Sequence, residues 1–197
     1  MKKLNVKPAL QYRGGMCIRL LKRFLLTQLG KRIAFALKLK GFNKVAWQVK
    51  RNGKVIQSGY SFNARVDKGA DLSLSLITGA AQGGITSPLP PKYIALSTST
   101  LTPAKGDTTL AGETSASGLA RALGTIQNYT APSTLDGACS IEIEKEFTNT
   151  SAGTVTVKSS ALFDASSTGN LFTEDNFSDD AVVAVNDILR VTWTINS

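Results

Sequence analysis

Val45-Ala-Trp-Gln-Val-Lys-Arg-Asn-Gly-Lys-Val-Ile-Gln-Ser58 is the stretch that decides the fold class of this chain. Val45, Trp47 and Val49 alternate with Ala46 and Gln48, the period of two of a half-buried strand. A second run, Val55 to Ser58, follows after Lys50-Arg-Asn-Gly-Lys54. Asn52-Gly53 lies between the two runs, and Asn-Gly tolerates the two successive positive φ angles of a type I′ turn. The stretch predicts a tight antiparallel hairpin.

Downstream the pattern continues. Leu189, Val191 and Trp193 alternate with Arg190, Thr192 and Thr194, and Ile141 and Ile143 alternate with Glu142, Glu144 and Glu146. Further strands are predicted over 92–98, 118–130, 138–149, 154–163, 171–177 and 187–196. Turns are predicted at 103–107, 133–137, 151–153 and 166–170, where Gly, Pro, Ser and Asp collect. Asp67 to Gly79 predicts a short helix with an Asp cap and Leu72, Leu74 and Leu76 partly buried. Residues 80–91, rich in Gly and Pro, predict a loop. Many short strands with regular turns imply a mainly β fold, an antiparallel sandwich or barrel-like body with one short helix.

Upstream the chain changes character. Residues 1–66 contain 16 basic residues and no acid, whereas residues 67–197 contain 7 basic and 14 acidic residues, a net −7; together they give the +9 of the whole chain. Residues 16–29 read as an amphipathic helix. Arg19, Lys22 and Arg23 share one face, Leu21, Leu25 and Leu29 another, and Gly30 is a natural stop. Lys31 and Arg32 follow, and Ile33, Phe35, Leu37 and Leu39 then alternate with Arg32, Ala34, Ala36 and Lys38 as a strand. The chain therefore divides into a basic N-terminal arm, residues 1–42, and a β-rich body, residues 43–197. Arg19, Leu21, Lys22, Arg23, Leu25, Leu29, Lys31 and Arg32 are the candidate partner-binding residues. Such an arm suits an anionic partner: nucleic acid, a membrane surface or an acidic protein neighbour. The stretch 16–39 is too interrupted by charge to span a bilayer, and it lacks the uncharged core of a signal peptide.

Composition argues against most enzymes. The chain of 197 residues has no histidine, which removes Ser-His-Asp triads, Cys-His dyads and His-ligated metals. Two cysteines, Cys17 and Cys139, are too few for a disulfide framework, and both a single bridge and two thiols are open. No nucleophile elbow or Ser-x-x-Lys set is present. Gln82-Gly-Gly-Ile lacks the flanking pattern of a phosphate loop. Glu142, Glu144 and Glu146 read as a solvated strand face rather than a cation site. Glu174, Asp175, Asp179 and Asp180 read as an acidic loop, and Lys105-Gly-Asp107 as a turn. The reading is a non-enzyme without cofactor or metal.

The order of segments from about residue 41 onward resembles a group of small structural proteins of tailed bacteriophages, described as tail-fibre, head-decoration or virion proteins. The resemblance rests on the Gly hairpin at Lys50–Lys54, Asn63 before the helix at 68–79, and Tyr93-Ile-Ala-Leu96. It continues through Thr102-Pro-Ala-Lys-Gly-Asp-Thr-Thr-Leu110, Leu162-Phe-Asp-Ala165, Gly169-Asn-Leu-Phe172, and Asp187-Ile-Leu-Arg-Val-Thr-Trp-Thr-Ile195. Ser97 stands where the group has Gly, and the first 40 residues lie outside the likeness. The resemblance implies a virion building block in many copies or as a homo-oligomer. Such a part would bind coat or tail subunits and stabilise or decorate the particle. Nucleic-acid binding by the basic arm, or carbohydrate binding by the β body at a host surface, are the alternatives.

Overall fold

The computed structural model describes residues 42–64, 67–78, 83–85, 89–130 and 139–196. Among the described residues, nine strands and one helix follow in order. They are β1 (Phe42–Arg51), β2 (Lys54–Ala64), α1 (Asp67–Thr78), β3 (Tyr93–Ser97), β4 (Ala122–Leu123), β5 (Thr125–Thr130), β6 (Ser140–Thr148), β7 (Val155–Phe163), β8 (Leu171–Val183) and β9 (Ile188–Asn196). They form a five-stranded sheet, β2-β1-β9-β6-β5, and a four-stranded sheet, β4-β3-β7-β8. Every ladder is antiparallel.

The hairpin forms as its sequence requires. Arg51 pairs with Lys54, and Asn52 and Gly53 have φ of 50° and 76°, the two positive values of a type I′ turn. Alternation then sorts the side chains. Val45, Trp47 and Val49 of β1, Ile143 and Phe147 of β6, and Leu189, Val191 and Trp193 of β9 turn inward. They meet Ile94 and Leu96 of β3, Val157 and Leu162 of β7, and Phe172, Phe177, Ala181 and Val183 of β8 in one core. The two sheets thus share a single apolar layer, the arrangement of a sandwich.

Three expectations are corrected. The strand predicted over 118–130 is two strands in two sheets, β4 on β3 and β5 on β6. Gly124 is the corner between them: its N–H donates to Lys92 O at 2.8 Å, and a Cβ there would come within 2.7 Å of Ile143 Cγ2. The acids expected in a loop lie instead on β8, which runs on to Val183. Glu174 and Asp175 are each only 2% exposed. Of the three leucines of α1, Leu72 is buried, whereas Leu74 and Leu76 are exposed; Leu74, two residues on, points to nearly the opposite side of the helix, and Leu76, one turn beyond Leu72, is 40% exposed. Within the segment expected to be a plain loop, Ile85 is buried in the core. Ser97 serves its turn in place of Gly, its Oγ donating to Ala111 O at 2.6 Å and accepting from Ser99 N at 3.0 Å.

A smaller cluster covers the outer face of the four-stranded sheet, where Leu101 and Leu110 rest on Ala95, Ala161, Phe163 and Leu171. Arg121 locks its rim. Its guanidinium lies 3.6 Å from the Phe163 ring centroid, grips Glu113 with two hydrogen bonds of 2.8 and 2.6 Å, and donates to Thr168 O at 2.7 Å. Replacing the corner glycine, Gly124→Val, forces side-chain volume against β6. A loss of about 1–3 kcal/mol is expected, read as a lower urea midpoint at unchanged slope.

Candidate assembly surfaces

The eight arm residues Arg19, Leu21, Lys22, Arg23, Leu25, Leu29, Lys31 and Arg32, with Cys17, lie outside the described residues. Among the described residues, the surfaces of interest are the two open sides of the sandwich and the solvent face of the larger sheet.

That solvent face is held by cross-strand charge. Glu146 on β6 accepts from Lys50 on β1 at 2.9 Å and from Arg190 on β9 at 2.7 and 2.9 Å. These bonds hold the Glu146 carboxyl below the usual carboxylate range. Glu144 accepts from Thr192 at 3.1 Å, and Glu142 from Asn128 of β5 at 2.6 Å. The three glutamates are therefore cross-strand ties. At the tip of the hairpin Arg51 donates to both oxygens of the buried Asp187, at 2.9 and 2.8 Å, which also holds that carboxyl below its ordinary range.

On one side of the sandwich, β2 and β8 end their sheets next to each other. No ladder joins them; side chains do. Ser61 Oγ donates to Asn176 O at 2.6 Å, and Gln57 Oε1 accepts from Val182 N at 2.9 Å. Gly59 permits the approach, since a Cβ there would sit 2.4 Å from Ser178 Oγ. Trp47 stacks on Phe177 at 5.3 Å across the same seam. A cleft of about 520 Å³ remains along it, lined by Tyr60, Phe62, Ser178 and Asp179 among others. The ammonium of Lys44 lies 5.2 Å from the Tyr60 ring centroid, and Asn176 spends its amide on the backbone of Leu101.

The other side is bounded by the bent pair β4–β5. All six residues of β5 are exposed, and Leu123, Ile126 and Tyr129 are 53, 45 and 64% exposed. Ile126 stands opposite Ile143 and Tyr129 opposite Ile141, with a bulge between them. Their side chains therefore extend the inner face of the larger sheet beyond the core.

Sequence reading missed one polar site, the joint of β8, α1 and the 103–107 turn. Glu174 lies opposite Ala161, on the side of β7 that faces the second cluster. Its carboxyl is pushed up to about 8 by burial, by a hydrogen bond with Asp107, and by the charges of Asp107 and Asp175. Asp107 Oδ2 also accepts from Ala104 N at 2.5 Å, and Lys105 O accepts from Asp67 N, at the start of α1, at 2.9 Å. Lys105-Gly-Asp107 is thus a turn, as expected, and part of a joint. A carboxyl that meets another across 67 residues of sequence leaves no local signal.

No group of three or more His, Cys, Asp or Glu side chains able to hold a metal occurs among the described residues, and no helix among them is long and apolar enough to cross a membrane. The polar groups mapped above bind one another or close the fold, which is the pattern of a structural β module. The family model for podophage GP4 fiber I protein gp80 matches residues 75–194. The chain belongs to that family, whose members are tail-fibre-type proteins of tailed phages, and its place is in the virion. No curated protein matches the chain.

Protonated Glu174 donates to Asp107, so the folded state holds a proton that the unfolded chain releases near pH 4.5. Stability should fall as pH rises from that value through about 8, then level off. The slope is at most about 1.4 kcal/mol per pH unit. Glu174→Gln keeps the donor and removes the proton. Urea titrations between pH 5 and 9 should show the variant gaining on the parent as pH rises; parallel curves would rule out a shared proton.

Proposed function

We propose that this protein is a building part of the phage tail fibre that attaches to neighbouring virion subunits through its basic N-terminal arm, residues 1–42. The fibre description of the family favours the tail over capsid decoration. The observation that carries the reading is where the charge is left over. Within the body, Glu113, Glu144, Glu146, Asp67, Asp180 and Asp187 each lie within 4 Å of one of the body's own cations. The arm carries 11 basic residues and no acid. Its charge must be compensated from outside its own segment, and a neighbouring subunit in a many-copy assembly is a fixed source of acid.

In this mechanism Leu21, Leu25 and Leu29 bury against the neighbour while Arg19, Lys22, Arg23, Lys31 and Arg32 pair with its acids. Burying three leucines contributes on the order of 4–8 kcal/mol before ordering costs, so the apolar face holds the contact and the charges orient it. The partners are other virion proteins, including further copies of this chain.

Deleting residues 1–30 should remove the chain from purified particles while the β body stays folded. Quantitative mass spectrometry of particles reads the first and tryptophan fluorescence the second. A truncated chain present at the parent's copy number would refute the arm. In particles with the full chain, a count far below that of the major coat protein is expected for a fibre. A ratio near one would move the protein to capsid decoration.

A further inference from the structure

We propose that β5 is an acceptor edge, and that residues 31–40 of a second copy of this chain add to it as a sixth strand of the larger sheet. The inference deepens the assembly reading above and rests on it, since it names where one copy meets the next.

Edges differ in how they are guarded. β2 and β8 cap each other through Ser61 and Gln57, and β4 has only two residues. β5 ends its sheet among the described residues and is exposed along its whole length. Its sequence, Thr-Ile-Gln-Asn-Tyr-Thr, contains no charge and no proline, the devices that keep an edge from pairing. Only the bulge between Ile126 and Tyr129 breaks its regularity. Unpaired edge amides and carbonyls specify an extended backbone as the occupant.

The two faces of that edge specify which backbone. Toward the inside of the sandwich it presents Ile126 and Tyr129, both substantially exposed. Toward solvent it presents Thr125, opposite Glu144, and Asn128, bonded to Glu142. The occupant must be apolar on one face and basic on the other, with a period of two. Residues 31–40, Lys-Arg-Ile-Ala-Phe-Ala-Leu-Lys-Leu-Lys, have that pattern. Ile33, Phe35, Leu37 and Leu39 would extend the apolar face beside Ile126 and Tyr129. Arg32, Lys38 and Lys40 would stand over the edge that carries Glu142 and Glu144, roughly two strand spacings or 10 Å away at the backbone, within the joint reach of long side chains.

Chain length excludes the same copy as donor. The chain joins the sheet at Phe42 of β1, and β9, β6 and β5 lie beyond it. A strand added outside β5 sits four spacings from β1, roughly 19 Å. Lys40 is two residues from Phe42, which span at most about 7 Å. The whole segment can therefore reach only the β5 of another copy. Each copy then has one donor and one acceptor, a head-to-tail contact that closes into a ring or continues as a run.

The test uses two full-length variants. Phe35→Asp with Leu37→Asp spoils the donor and leaves β5 intact. Ile126→Lys with Tyr129→Lys guards the edge and leaves the donor intact. Sedimentation velocity at micromolar concentration should show the parent self-associating and each variant at least tenfold weaker alone. An equimolar mixture should recover association as 1:1 dimers, because one intact donor meets one intact acceptor. Hydrogen exchange at residues 125–130 of the donor variant should be slower in the mixture than in that variant alone. Unchanged emission from buried Trp47 and Trp193 checks that both variants fold. A monomeric parent, a donor variant that associates like the parent, or a mixture no stronger than its components would each overturn the proposal. The deletion of residues 1–30 leaves this donor strand in place. Loss of particle attachment with normal self-association would therefore fall on the amphipathic helix alone, and the reverse result on the strand alone.

Discussion

The sandwich depends on β9 being inserted between β1 and β6. It is the last strand of the chain, and its partners start 146 and 48 residues earlier, at Phe42 and Ser140. Leu189, Val191 and Trp193 are fully buried in the shared core, and Trp193 Nε1 donates to Ser160 Oγ of β7 at 3.2 Å. That bond ties the centre of one sheet to the centre of the other. Without β9 the larger sheet falls into two hairpins, β1–β2 and β5–β6, and an isolated hairpin is marginal in water. Pairing over such sequence distances carries a large loop-closure cost, so the core must supply most of the free energy before the sheet is complete.

The edges follow from that centre. Once β9 fixes the middle of the larger sheet, β2 and β5 are its margins, and each is handled differently. At β2 the two sheets approach closely enough for side chains to replace a ladder, which Gly59 allows because it places no carbon between Trp47 and Ser178. At β5 a single bent strand serves both sheets through Gly124. The bend lets β5 follow the larger sheet past the limit of the smaller one, and this overhang leaves Ile126 and Tyr129 exposed. The same glycine that closes the fold there also creates its most accessible edge.

Legibility in the sequence divides along the line between local and distant causes. The Asn52-Gly53 hairpin, the inward sets of β1 and β9 and the start of α1 at Asp67 are written within a few residues, and they were readable. The split at Gly124 was not, because the contacts that compel the bend, with Lys92 and Ile143, lie far away in sequence. Nor was the burial of Glu174 and Asp175. Their carboxyls read as loop or surface until Asp107 and the start of α1 are brought over β8. In α1 the even spacing of Leu72, Leu74 and Leu76 suggested a common degree of burial, whereas the helix separates Leu72 from Leu74 by about 200°. For the arm the sequence supplies charge and periodicity, and those properties match the β5 edge and its glutamates more closely than any cavity of the body.

In the proposed assembly, charge polarity would bias which surfaces of two copies meet. Free copies carry a net +9 and repel at distances beyond about 8 Å only weakly at physiological salt. Repulsion therefore acts where two arms meet and not where an arm meets a body. The body presents a different field, because Lys50, Arg51, Lys105, Arg121, Lys158 and Arg190 each lie within 4 Å of one of its own acids. An approaching arm finds there a surface without excess positive charge, and at the β5 margin it finds two glutamates whose present partners include neutral Asn128 and Thr192. In the proposed assembly, arm-to-arm contact would be disfavoured and arm-to-edge contact favoured by the same residues. The asymmetry supplies direction, and the apolar alternation of residues 31–40 supplies the register that charge alone would leave undefined.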